Sequence, residues 1–193
     1  MTAAAPLPTR DRLVVTARDY LEVEGVQGIG LREIARRAGL SHGAPLRHFP
    51  TLGALLAAVA VEGFRDLVGS VEAAITGLDD SRARVRAAAH GYVAFARSHP
   101  GVFELMFRAD LCDTDDPAYA ETGAIAFAQL VELVAAAQTD GYRPDIPAPE
   151  LAGVLWAAMH GLASLHLHGA LAPTTGQADL DVLIDHTTHL LVP

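Results

Sequence analysis

Arginines near the N-terminus are the side chains of this chain best suited to binding a charged partner. Arg32, Arg36 and Arg47 lie in a short segment that also contains small and polar residues. A guanidinium is always positively charged and donates paired hydrogen bonds to phosphates and guanine edges. The segment predicts a nucleic-acid contact made by Arg32, Arg36, Ser41, His42, Gly43, Ala44, Pro45, Arg47 and His48. For each histidine, a solvated helix residue is an equally good interpretation.

Two short helices joined by a tight turn are predicted to hold these side chains. Apolar residues recur at i, i+3, i+4 and i+7, namely Leu31, Ile34, Ala35 and Ala38. Gly39 follows at the position where a helix ends in the left-handed conformation. Ser41 can cap a second helix, which Pro45 shortens and stiffens. This is the pattern of a helix-turn-helix that reads the major groove of DNA, and a helical hairpin without a DNA contact is the alternative.

A further helix is predicted upstream of this pair. From Arg10 to Gly25, the apolar residues Leu13, Ala17, Tyr20 and Leu21 lie on one helical face. The segment can therefore close a small three-helix domain, which we expect to cover residues 9–58. Residues 1–8 are expected to be disordered.

The N-terminal motif resembles that of a known family of regulators. Residues 9 to about 60 are similar to the DNA-binding domain of the TetR family of one-component transcriptional regulators. The similarity lies in the core Ile34-Ala35-x-x-Ala38-Gly39-Leu40-Ser41 and the ending Arg47-His48-Phe49-Pro50. Gly30 and Leu46 depart from the family pattern, which usually has a Ser or Thr and a Tyr that contact phosphates. Fewer phosphate contacts predict weaker and less salt-dependent binding.

Charge is distributed in agreement with a DNA contact at one end only. Residues 1–50 contain seven arginines and five acidic residues, a balance of +2, whereas the rest of the chain has a balance of −11 within a total of −9. A polyanion attracts positively charged surfaces and repels negatively charged ones. Only the N-terminal segment is therefore suited to double-stranded DNA.

The remaining sequence predicts an all-α protein with about nine helices. Long segments rich in Ala and Leu are interrupted by Gly, Pro and Asp, and strand signals are nearly absent. Helices are predicted at 51–76, 81–98, 101–109, 116–139, 147–169 and 178–191. Because Gly63 and Gly69 interrupt the first of these, it can consist of two helices. Residues 59–193 are expected to form a helical ligand-binding and dimerisation domain.

Aromatic and methionine side chains in this second domain predict a pocket for a small molecule. The predicted ligand-binding residues are Tyr92, Phe95, Phe103, Met106, Phe107, Phe127, Trp156, Met159 and His160. For most of them, a place in the core is the simpler interpretation. Polar tips among apolar side chains nevertheless favour a binding site for a largely apolar molecule. The segment from Trp156 to His160-Gly161 resembles a TetR subfamily named for its Trp-x3-His-Gly motif, in which Pro in the recognition helix, here Pro45, is common.

The last two long helices are the predicted dimer interface, as the family resemblance implies. The residues assigned to it are Leu155, Leu162, Leu165, Leu180, Leu183 and Ile184. A homodimer would hold two recognition helices about 34–36 Å apart, the spacing of successive major grooves. An effector that prefers a different separation would lower the affinity for the operator.

Other classes of function have weaker support. A metal site could use His160, His166 and His168, or His186 and His189, but His166 and His168 point away from each other and there is no Cys pair. Ser164 near His160 lacks an activating motif, so no catalytic site is expected. The single Cys112 excludes an intrachain disulfide, and the acids around it disfavour a redox-sensing thiolate. We expect neither a metal nor a cofactor.

The location expected for the protein is the cytoplasm, because the chain has neither the uninterrupted apolar run of a membrane span nor the layout of a signal peptide. Together these features predict a ligand-responsive transcriptional regulator, most simply a repressor. Its homodimer would bind a palindromic operator until a small apolar or aromatic effector releases it. The alternative is a DNA-binding regulator that requires a corepressor or acts independently of any ligand.

Overall fold

Helices and the loops between them make up all of the chain that the computed structural model describes, residues 7–41 and 43–191. The α-helices are α1 (Thr9–Glu24), α2 (Leu31–Arg37), α3 (Leu52–Ile75), α4 (Ser81–Ser98), α5 (Pro100–Met106), α6 (Pro117–Thr139), α7 (Ala148–Leu167), α8 (Leu171–Thr174) and α9 (Leu180–Leu191). The predicted all-α fold is confirmed. His42 lies outside the described residues, as does most of the segment predicted to be disordered.

The turn after α2 ends that helix as the sequence predicts. Gly39 has φ = 65°, in the left-handed region. Its N–H donates to the Arg36 carbonyl at 3.1 Å, and the Leu40 N–H donates to the Ala35 carbonyl at 2.9 Å. These two bonds form a Schellman motif, which satisfies the last carbonyl groups of the helix. The Arg12 guanidinium of α1 also donates to the Ala38 carbonyl and so ties α1 to this end of α2.

The predicted recognition helix is shorter and tighter than expected. Among the described residues between this turn and α3, regular structure is limited to a 3₁₀ turn at Pro45–Arg47, which starts after Ala44 rather than at Ser41. The Ser41 group that bonds to Ala44 is its backbone carbonyl. Pro45 has no N–H and suits only the first position of a helix, while Gly43 opposes helix formation upstream of it. Both effects delay the start of regular structure.

Helix α3 is one continuous helix, so the alternative of two helices is wrong. A Cβ atom added at Gly63 would lie 2.6 Å from Val102 Cγ1 and 2.9 Å from Met106 Sδ. Tertiary packing against α5 therefore occupies the space that glycine leaves, and it outweighs the cost of about 1 kcal/mol for a glycine inside a helix. Propensity alone could not show this compensation. Between the helices predicted at 147–169 and 178–191, residues Leu171–Thr174 form a further short helix, α8.

The chain divides into two compact units. The first contains residues 1–64 and 101–122, and the second contains residues 65–100 and 123–193. In the first unit, α1 packs on α2 and buries Leu13, Val14, Ala17, Tyr20 and Leu21, which confirms the predicted apolar face of α1. In the second, α4, α7 and α9 pack against one another.

Helix α5 joins the first unit through an unusually close approach to α1. A Cβ atom at Gly101 would lie 2.1 Å from the Leu21 carbonyl oxygen, so only glycine fits there. The Gly101 N–H donates to Glu22 Oε2 at 2.9 Å. A carboxylate at the start of a helix also interacts favourably with the helix dipole. Shape and charge therefore both fix α5 to α1.

Helix α6 has an unusual surface for a helix of a globular domain. By length and composition alone it could span a membrane, and only 22% of its most apolar 18-residue stretch is buried. Apolar helices of globular proteins share this length and composition, so the feature does not by itself indicate a membrane span.

The contact at Gly101 is testable by a single added methyl group. Gly101→Ala should lower the free energy of unfolding by about 3 kcal/mol, because the backbone of α1 must move away from the new Cβ. Gly69→Ala is the matched control, since Gly69 lies in α3 with nothing within 4 Å of its added Cβ. That change should raise stability by about 0.5–1 kcal/mol. Urea denaturation followed by circular dichroism measures both, and equal stability of the two variants would contradict the assignment.

Candidate DNA-contact surface and effector site

The arginines of α2 belong to a network of ion pairs. Arg36 donates from Nε to Glu33 Oε2 at 2.9 Å and from Nη2 to Glu33 Oε1 at 2.7 Å. Arg37 donates from Nε to Glu33 Oε1 at 2.7 Å and from Nη2 to Glu24 Oε1 at 3.1 Å. The Arg37 guanidinium also lies 4.5 Å from the centre of the Tyr20 ring. Two cations and two carboxylates are thus paired at this surface.

The pKa of Glu33 reflects this pairing. Hydrogen bonds from Arg36, and next from Arg37, lower the pKa of the Glu33 carboxyl from 4.5 to about 2. The carboxylate is therefore ionised throughout the physiological range. Its charge offsets part of the positive charge of α2 at every pH at which the protein would meet DNA.

Two other arginines of the predicted contact surface are placed differently. Arg32 on α2 and Arg47 at the end of the 3₁₀ turn are exposed, and neither forms an ion pair with any residue that the structure describes. Ser41, Gly43 and His48 are exposed as well, Ala44 is half-buried and Pro45 is buried. The structure therefore leaves Arg32 and Arg47 as open positive charges on the two elements of the predicted motif.

A hydrogen-bonded cluster in the second unit contains three of the predicted ligand-binding residues. Trp156 Nε1 donates to the Tyr92 hydroxyl at 3.2 Å, and that hydroxyl lies 2.9 Å from His160 Nδ1. Trp156 and His160 are four residues apart on α7 and so lie on the same helical face as seen from Tyr92 on α4. If the Tyr92 hydroxyl donates onward to Nδ1, the neutral imidazole carries its proton on Nε2. We call Tyr92, Trp156 and His160 the polar triad.

Burial shifts the pKa values of His160 and Tyr92 so that the neutral form of each side chain is favoured. Desolvation lowers the pKa of His160 and raises that of Tyr92. Next to them, the Phe127 and Trp156 rings meet edge to face with centroids 6.0 Å apart. The cluster thus offers uncharged hydrogen-bonding groups beside an aromatic surface, which suits an uncharged or largely apolar ligand.

The other predicted ligand-binding residues belong to both units. Phe95 and Met159 are buried in the second unit, where Phe95 stacks on His99 at 5.1 Å. Phe103, Met106 and Phe107 belong to the first unit. There the Phe103 and Phe107 rings meet at 5.3 Å, and Phe107 also contacts Phe64 at 5.9 Å. Within the second unit, the structure groups Tyr92, Phe127, Trp156 and His160.

The predicted dimer residues divide into core and surface. Leu155, Leu180 and Ile184 are buried within the second unit, and their side chains contribute to its core rather than to its surface. Leu162 and Leu183 are half-buried, and Leu165 is 48% exposed. Four other large apolar residues on the same two helices are exposed, namely Val154, Trp156, Val182 and Leu190. Periodicity alone could not tell which apolar face points inward.

The lone cysteine is buried, and one of the histidines, His90, is paired with a carboxylate. Cys112 is buried, and burial more than the charge of Asp110 raises the pKa of its thiol to about 11. His90 is bonded through Nε2 to Asp185 Oδ1 at 2.8 Å, which lowers the pKa of Asp185. Among residues 7–41 and 43–191, no group of three or more His, Cys, Asp or Glu side chains could hold a metal ion.

Two family models match this chain. Residues 13–59 match the model described as bacterial regulatory proteins of the tetR family. Residues 85–191 match the model described as the tetracyclin repressor-like C-terminal domain. Together the two matches cover the helix-turn-helix and most of the second unit.

Related proteins and solved structures agree with these matches. The HTH-type transcriptional activator FasR of Mycolicibacterium smegmatis is 31% identical over 101 residues, which are 52% of this chain and only 46% of that protein. A protein of unknown function from Rhodococcus sp. RHA1 has a similar structure, with a TM-score of 0.85, 32% identity and coverage of 99% of this chain and 97% of that chain. The fatty acid degradation regulator FadR from Bacillus halodurans shares the fold, with a TM-score of 0.74, 13% identity and coverage of 97% and 96%.

The helix-turn-helix geometry, the helical second unit and the match of family models to both lead to one conclusion. The chain belongs to the TetR family of bacterial transcriptional regulators, DNA-binding proteins that are not enzymes.

Proposed function

We propose that the protein is a ligand-responsive repressor whose homodimer binds a palindromic operator and is released by a small apolar or aromatic effector. The observation that carries the DNA contact is the exposure of Arg32 and Arg47, without ion-pair partners among the described residues, on the two sides of the Gly39 turn. Such charges are available for phosphates and base edges. We assign DNA binding to residues 9–58, and effector binding and dimerisation to residues 59–193.

The effector site is proposed at the polar triad and Phe127. A neutral His160 and a neutral Tyr92 beside two aromatic rings suit a molecule with a large apolar part and few polar groups. The convergence of Trp156 and His160 on Tyr92 gives the Trp-x3-His-Gly segment a structural role. It thereby supports assignment to the subfamily named for that motif.

A path for the signal is available within the first unit. Phe103, Met106 and Phe107, which the sequence predicts to be ligand-binding residues, all lie on or directly after α5. A displacement of α5 would act on the backbone of α1 through Gly101, because the two backbones are already in close contact there. Since α1 is bonded to the end of α2 through Arg12, movement of α1 would reorient the DNA-contact elements.

Repression is the direction of regulation that we propose. FasR is named as an activator, and a dimer can repress or activate depending on where its operator lies. A regulator that needs a corepressor or responds to no ligand is the second candidate. Like other proteins that must reach chromosomal DNA, this one is proposed to act in the cytoplasm.

DNA binding is tested by removing one guanidinium. Arg47→Ala should weaken binding to duplexes from the DNA flanking the protein's own gene at least tenfold, because a direct base or phosphate contact is lost. Arg97→Ala, an exposed charge in the second unit, is the matched control and should leave affinity unchanged. Fluorescence anisotropy at two salt concentrations measures both, with size-exclusion chromatography to show that the oligomeric state is retained. Equal affinity of the two variants would exclude Arg47 from the contact.

Trp156 makes the effector site directly observable, since it is the only tryptophan of the chain. 1-Decanol and benzyl alcohol, one aliphatic and one aromatic probe without charge, test the proposed ligand classes. At least one should change Trp156 fluorescence saturably, and Tyr92→Phe should weaken that binding about fivefold because a hydrogen-bonding group is lost. Tyr142→Phe removes the same hydroxyl elsewhere in the second unit and should have no effect. Unchanged fluorescence with DNA binding retained would favour the ligand-independent regulator.

The dimer surface is tested by introducing a charge. Leu165→Glu on α7 should convert the dimer to a monomer, because an unpaired carboxylate is costly in a buried apolar interface. Ile125→Glu places the same charge at a similarly exposed residue of α6 and should leave the dimer intact. Analytical ultracentrifugation distinguishes the outcomes. A dimeric Leu165→Glu variant would place the interface elsewhere.

A further inference from the structure

We propose that Glu33 attenuates DNA binding by engaging Arg36 and Arg37 within the protein, so that these two arginines contribute little to the attraction for phosphates. The inference rests on the proposed DNA contact at α2. In addition to that contact, it assigns a role to an acidic residue of the same motif.

The Glu33 carboxylate occupies one edge of the Arg36 guanidinium. Glu33 receives both the Nε and the Nη2 hydrogen of Arg36, at 2.9 and 2.7 Å. This edge of the guanidinium is the one that would otherwise form a bidentate contact with a phosphate. Arg37 is engaged further, by Glu33, by Glu24 and by the ring of Tyr20.

Charge provides the second argument. With Glu24 and Glu33, the two arginines form a group whose net charge is zero, although Arg36 keeps 66% of its side chain exposed. Exposed ion pairs typically add only about 0–1 kcal/mol to stability. A carboxylate less than 3 Å from each guanidinium nevertheless repels an approaching phosphate nearly as strongly as the guanidinium attracts it.

Pairing of Arg36 and Arg37 with carboxylates should make DNA binding less dependent on salt concentration. Each phosphate neutralised by the protein adds about 0.9 to the slope of log K against log salt. Arg32 and Arg47 would supply this term in the wild-type protein, whereas Arg36 and Arg37 would not. Removing the Glu33 charge should therefore increase both the affinity at low salt and the slope.

The test uses the full-length protein and a 30-base-pair duplex of mixed sequence, so that no operator need be known. Glu33→Gln should raise affinity about tenfold at low salt and steepen the slope by about one per protomer. Asp19→Asn is the matched control, because Asp19 is an exposed acid of α1 outside the network. It changes the net charge equally and should leave the slope unchanged.

Several outcomes would overturn the proposal. Equal effects of Glu33→Gln and Asp19→Asn would show that only net charge matters. Lower affinity for Glu33→Gln would show that Glu33 orients the arginines for DNA instead. Absence of DNA binding by the wild type and by every variant would overturn the proposed DNA contact itself, a result distinct from the other two. Binding by Glu33→Gln alone would support the attenuation.

A second measurement remains informative if Glu33→Gln does not fold, as judged by circular dichroism. Arg36→Gln in the otherwise wild-type protein should reduce affinity for the duplex no more than about twofold. Arg32→Gln should reduce it about tenfold, because the Arg32 charge is not offset. Equal losses from the two substitutions would overturn the attenuation.

Discussion

The contact between Gly101 and the backbone of α1 is the constraint on which the first unit depends. With a Cβ position only 2.1 Å from the Leu21 carbonyl oxygen, α5 lies as close to α1 as two backbones allow. The bond from the Gly101 N–H to Glu22 adds a directional interaction at the same point. Residues 101–122 therefore belong with the N-terminal helices, although a long stretch of sequence separates them. For a regulator, this means that α5, which lies far along the chain from the helix-turn-helix, is fixed directly to α1.

The arginines of the helix-turn-helix fall into two groups, those with an acidic partner and those without one in the described structure. Arg32 and Arg47 carry charges that no acidic side chain in the described structure offsets, whereas Arg36 and Arg37 face Glu24 and Glu33. The net balance of +2 over residues 1–50 thus conceals a local arrangement in which some positive charge is already neutralised. Affinity for a polyanion depends on this arrangement more than on composition, because salt at physiological ionic strength screens exposed charges that are more than about 8 Å apart.

Local patterns predicted much of the architecture. The apolar faces of α1 and α2, the left-handed Gly39 and the limits of α4, α6, α7 and α9 follow from spacing, glycine and proline, since these effects operate within one or two turns of a helix. The continuity of α3 through Gly63 did not follow, because packing against Val102 and Met106 compensates for the glycine there. The late start of regular structure at Pro45 does not follow from local pattern either, because Gly43 and Pro45 oppose helix formation more strongly than a Ser41 cap favours it.

The sequence by itself determined the helical class, the helix-turn-helix and the family, because each depends on residues close together along the chain. Tertiary structure alone decided which apolar residues are core and which are surface. Leu155 and Ile184 point inward while Leu165 and Leu190 do not, although all lie on amphipathic helices. It also decided that Tyr92 meets Trp156 and His160, and that Glu33 pairs with both arginines. These contacts depend on how helices pack and on side-chain rotamers, which periodicity along one helix does not specify.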